Sequence, residues 1–152
     1  MRTAIDLQFA DGQYLFKLGL AQIRELQDKT NTGIGALYAR ILQGRMGEAL
    51  EEGHPAYAMY HVDDVRETVR QGLIGGGGGR VDGADVLVTS LRATELVERY
   101  LDPMPLSEQW NLAAAILFAL VEGYADEESG SDDQAPGDED KKKEGGSTTP
   151  PP

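Results

Sequence analysis

The sequence predicts a mainly α-helical chain. It opens with a β-hairpin, continues through about five helices and ends in a disordered acidic tail. Three observations carry this expectation. Apolar residues alternate with polar ones near the N-terminus: Ile5, Leu7 and Phe9, then Tyr14, Phe16 and Leu18. Further on the spacing changes to threes and fours, as in Ile34, Leu37, Tyr38, Ile41 and Leu42. From Asp126 the large apolar residues stop. Period two marks a half-buried strand, and period 3.6 an amphipathic helix.

The hairpin is expected over Thr3 to Leu18, with Asp11-Gly12 as its turn, a strong short-range hairpin signal. Leu15 interrupts the alternation on the second strand. A lone hairpin is marginally stable, so its apolar face must rest on helices.

The first helix is expected from Leu20 to about Asp28, with Leu20, Ile23 and Leu26 on one stripe. Asn31 or Thr32 would cap the second, from Ile34 to Gln43, and Gly44 would stop it. Gly47, Gly53 and Pro55 make Arg45 to His61 read as loop, with a helical turn near Glu48–Glu52. Tyr57, Met59 and Tyr60 would pack back on the core. Val62, Val65, Val69 and Leu73 define a third helical stripe, ended by Gly72 and the glycine run 75–79. The run reads as a flexible link. Asp82 would then cap a fourth helix, Gly83 to Tyr100, with Leu87, Leu91, Leu96 and Val97 facing inward. Pro103 and Pro105 break it.

The fifth helix is expected from Leu106 to Gly123, with Ser107 and Glu108 suiting its start. It is apolar almost all round from Leu112 to Val121. Such a helix is central to a core or buried in a partner. Trp110, the one tryptophan, reads as core or as an interface anchor.

The domain expectation is one helical domain with its hairpin over residues 1–125, and a disordered tail over 126–152. The tail holds nine acids and three lysines and ends Pro150-Pro151-Pro152. It has too little apolar area to offset the entropy of ordering.

Composition excludes several chemistries. The chain has no cysteine, so disulfides, zinc–thiolate sites and cysteine nucleophiles are ruled out. A formal net charge of −12 disfavours non-specific binding to nucleic acid or anionic membrane. The apolar run Leu112–Val121 is about half of what spans a bilayer. No signal-peptide core follows Met1, and the chain reads as cytoplasmic. His54, His61, Asp63 and Asp64 lie close in sequence but lack helical zinc spacing or a calcium-loop pattern. Gly75–Gly79 lacks the strand, helix and Lys-Ser/Thr of a phosphate loop. Ser90, Ser107 and the two histidines show no nucleophile motif. The expectation is a non-enzyme without cofactor or metal.

Four segments in order resemble the gene transfer agent and phage tail-assembly chaperones. Leu18-Gly19-Leu20-Ala21-Gln22-Ile23-Arg24-Glu25-Leu26-Gln27 resembles their strand, Leu-Gly and first helix. Thr32-Gly33-Ile34-Gly35-Ala36-Leu37-Tyr38-Ala39-Arg40-Ile41 resembles the second helix. Val65 to Gly77, closing in Gly72-Leu73-Ile74-Gly75-Gly76, resembles the next. Pro105-Leu106, Leu112 to Leu117 and Gly123 resemble the last. The resemblance covers residues 3 to 124, without the Arg45–Tyr60 segment, the long glycine run or the tail.

The resemblance implies a non-enzymatic protein of the bacterial host cytoplasm. It would hold the tape-measure protein soluble during tail assembly and be absent from the finished particle. Some relatives are described instead as tail-tube proteins. The apolar fifth helix supplies candidate contacts: Trp110, Ile116, Leu117, Phe118, Leu120 and Val121. Self-association stays open. The alternatives are a structural tail-tube component and a small acidic regulatory protein.

Overall fold

A computed structural model describes residues 1–48 and 61–125. It is mainly helical, with a four-stranded antiparallel sheet in the order β1-β2-β3-β4. Strand β1 is Ala4–Phe9 and β2 is Gly12–Lys17. Their register sets Ile5 opposite Phe16 and Leu7 opposite Tyr14. Directly opposed residues share a sheet face. That face carries Ile5, Leu7, Phe9, Tyr14 and Phe16, all part of the core or packed against it. Phe9 meets Tyr14 and Phe16 edge-on, at centroid distances of 6.2 and 6.0 Å. Such pairs add to the area they bury.

The turn lies one residue earlier than the sequence suggests. Phe9 pairs with Gly12, so Ala10 and Asp11 form the turn, with Ala10 at φ 57°. Gly12 is a ladder residue. A side chain there would strike the Arg80 carbonyl and the Val81 side chain.

The glycine run is not a flexible link, and Asp82 does not begin a helix. Strands β3, Gly78–Val81, and β4, Ala84–Leu87, form a second hairpin. Asp82 and Gly83, at φ 52° and 79°, occupy its two turn positions. Two left-handed residues between strands match the right-handed strand twist. Strand β3 joins β2 through Gln13–Arg80 and Tyr14–Gly79.

Helices α1, Leu20–Thr30, and α2, Ile34–Glu48, follow the first hairpin. Asn31 ends α1 in the left-handed conformation instead of capping α2. The side chain of Gln27 accepts from the Ile34 N–H at 2.9 Å. Helix α2 passes through Gly44, the expected stop. The expected turn to Glu52, the packing of Tyr57, Met59 and Tyr60, and the tail lie outside the described residues.

Helix α3, Val62–Gly76, passes Gly72 but ends inside the glycine run, at Gly77, φ 70°. Its last turn lies on the β2 backbone. A Cβ at Gly75 or Gly76 would fall on the Lys17 or Leu15 carbonyl oxygen. Val65, Val69 and Leu73 are buried as their spacing requires, while Leu20 and Val62, first residues of their helices, are exposed.

Helix α4, Ser90–Leu96, continues as a π-helical turn, Val97–Leu101. The Thr89 hydroxyl accepts from the Arg92 N–H and caps it. Leu87 and Leu91, expected to face inward, are 82% and 70% exposed. The physical reason is the strand. Leu87 sits opposite Gly78 on the outer face of the sheet, whereas Val86 packs inward. Helical phase therefore starts at Ser90, and buries Ala93, Leu96 and Val97.

Helix α5, Leu106–Val121, packs against α2, α3 and the sheet. It buries Trp110, Ala113, Ile116 and Leu117. Burying such a large side chain fully contributes about 1.5–3 kcal/mol. Beyond it, Arg2 and Tyr124 exchange backbone hydrogen bonds of 2.8 and 2.9 Å.

Candidate functional site

The central position of α5 divides the six candidate contact residues. Trp110, Ile116 and Leu117 are buried in the core. Phe118 and Val121 lie at the surface, 42% and 48% exposed, and Leu120 is half-buried. A buried side chain meets a partner only if the fold opens. The surface part of the candidate set is therefore Phe118, Leu120 and Val121.

A shallow groove lies beside Phe118, between α2 and α5. It is lined by Leu42, Asn111, Ala114, Ala115, Phe118 and Tyr124. Ala114 and Ala115 keep its floor low. Phe118 and Tyr124 meet at a centroid distance of 5.7 Å, tilted by 58°. Tyr124 is held there by the backbone pairing with Arg2. Tyr38 on α2 is half-buried, and its phenol pKa is raised, first by burial and then by the charge of Glu122.

The sequence reading missed Leu42, Asn111, Ala115 and Tyr124 as a surface. A signal was present. Glu108, Asn111, Ala115, Phe118 and Glu122 follow alternating three- and four-residue steps along one face of α5. The continuous apolar run hides that stripe, because its other faces are apolar too.

The remaining candidate residues lie outside this groove. Asp64 accepts from Arg40 at 2.7 and 2.9 Å. Asp63 and His61 are exposed beside it in a polar depression with Lys29, Thr30 and Asn31. His54 is outside the described residues. Among the described residues no group of three His, Asp or Glu could hold a metal ion. The glycine run forms the α3–β3 junction described above. Tyr14 donates to Asp11, and Arg92 lies 3.7 Å from the same carboxylate. The pKa of the Tyr14 phenol is pushed up to about 12, mainly by burial and then by Asp11, against the opposing charge of Arg92. This cluster ties the first turn to α4. No helix among the described residues is long and apolar enough to cross a membrane.

A family model described as phage tail tube protein, GTA-gp10, matches residues 2–123. No curated protein and no solved structure matches the chain.

Proposed function

The chain belongs to the phage tail protein family described as phage tail tube protein, GTA-gp10, and from that premise we propose that it is a non-enzymatic tail-assembly chaperone. It binds the tape-measure protein and keeps it soluble while the tail is built in the host cytoplasm. It then leaves before the particle is finished. The observation that carries this reading is the exposed Phe118 beside the α2–α5 groove, with Val121 one turn on. A long tail protein exposes apolar helical surface before tube subunits enclose it. A helix lying in an apolar groove covers that surface. Acidic charge keeps such a complex soluble.

A second reading follows the family description: a structural tube subunit. The four-stranded sheet favours it, because β1 and β4 are both edge strands. Each edge strand, however, carries an exposed acid at its middle, Asp6 or Asp85. Charges on edge strands discourage edge-to-edge pairing. Electron microscopy of the purified protein separates the readings. Dispersed small particles support the chaperone, and rings or tubes support the tube subunit.

A further inference from the structure

We propose that the α2–α5 groove receives a partner helix that is apolar along one ridge and rich in lysine or arginine beside it. This names the chemistry of the partner and rests on the chaperone reading above.

The stripe Glu108, Asn111, Ala115, Phe118 and Glu122 runs the length of α5. At 1.5 Å per residue it extends about 20 Å, or four turns of a docked helix. Leu42 forms the opposite wall, and Ala114 and Ala115 let another backbone come close. Phe118 supplies a large apolar contact toward the C-terminal end of the helix, backed by Tyr124.

Charge then selects the occupant. Glu108 and Glu122 stand at the two ends of the stripe, and both are exposed. No lysine or arginine lines the groove among the described residues. The charge of Glu122 also reaches the Tyr38 phenol on α2, whose pKa it helps burial to raise. An apolar ridge with cationic flanks meets all of these. A second copy of this chain meets them poorly, because each copy carries a net charge of −12.

The test uses two labelled peptides of about 18 residues, long enough to cross the groove and reach Glu108 and Glu122 at the ends of the stripe. Both have the same leucine and alanine ridge. One is flanked by lysine and the other by glutamate. Fluorescence anisotropy against the full chain is expected to show saturable binding of the lysine peptide alone, weakening as salt rises. Phe118→Asp should abolish it. Glu108→Lys combined with Glu122→Lys should weaken it about tenfold or more. Ala115→Arg fills the groove floor and gives the same reading as Phe118→Asp, should that variant not fold by circular dichroism. Equal binding of both peptides, or binding of neither, overturns the proposal. So does lysine-peptide binding that survives Phe118→Asp, which would assign it to acidic surface in general. A dimer in sedimentation that Phe118→Asp dissolves would assign the groove to a second copy.

Failure of this inference is distinguishable from failure of the chaperone reading. If the charge-reversed protein still keeps the tape-measure protein soluble, the cationic partner falls and the chaperone stands. If the lysine peptide binds as expected while that protein stays insoluble, the chaperone falls and the groove's preference stands.

Discussion

Arg40 grips Asp64 through both arms of its guanidinium: Nη2 lies 2.7 Å from Oδ1 and Nε lies 2.9 Å from Oδ2. The pair fastens α2 to the first turn of α3. The Asp64 side chain is only 3% exposed. It also lies at the helix N-terminus, where a carboxylate complements the helix dipole.

Removing Arg40 leaves a buried carboxylate without its partner. Arg40→Ala is therefore expected to cost about 3 kcal/mol, at the low end for a buried pair because Arg40 itself reaches solvent. Arg40→Lys should also destabilise, since an ammonium cannot bind both oxygens in the same plane. Replacing both partners, Arg40→Met with Asp64→Leu, should cost much less than Arg40→Ala. Urea unfolding midpoints measure all three.

The close approach of α3 to β2 separates two kinds of glycine. Gly76→Ala puts a Cβ on the Leu15 carbonyl, so helix and strand must part. A loss of several kcal/mol, or failure to fold, is expected. Gly35 lies in α2 with nothing within 4 Å of its added Cβ. Gly35→Ala should stabilise by roughly 0.5–1 kcal/mol, because alanine loses less backbone entropy in a helix. Thermal melts of the two variants should move in opposite directions.

Tyr14 gives a pH signature. Its folded pKa is raised to about 12 from 10.0, mainly by burial. The folded state therefore holds its proton more tightly than the unfolded chain. This contribution to stability is complete below pH 10.0 and is lost as pH rises to about 12. Tyr14→Phe should flatten that part of the alkaline stability profile. An unchanged slope in the variant would remove Tyr14 as its source.

Helix α5 supplies a contrast between core and surface. Trp110→Ala should cost about 3–5 kcal/mol, as large-to-small changes in a core do. Phe118→Asp should change stability by about 1 kcal/mol or less, because Phe118 is already 42% exposed. On the chaperone reading it should nonetheless abolish partner binding. Chemical denaturation and a pull-down on the same two proteins read both effects.

Much of this fold is legible in local pattern. The alternation of Ile5, Leu7, Tyr14 and Phe16, and the spacing of Val65, Val69 and Leu73, report their elements directly. The second hairpin is hidden because its strands are four residues each and β3 begins with two glycines. Such strands carry no apolar alternation. Asp82-Gly83 is the turn signal that was present, and Asp11-Gly12 the similar one that falls a step from its turn. Gly72, Gly75 and Gly76 look like helix stops in sequence. Their function is close approach to Phe16 and the β2 backbone, which only the tertiary structure sets. The candidate site was half legible for a related reason. The sequence marks α5 as apolar on every face, but only packing decides that Ile116 turns inward and Phe118 outward.

The most direct test is co-expression of this chain with the tape-measure protein of the same gene cluster, followed by separation of soluble and insoluble fractions and a pull-down. The chaperone account expects the long protein to become soluble and to co-purify with the wild type but not with a folded Phe118→Asp variant. An insoluble, unbound long protein beside folded wild-type chain would contradict it.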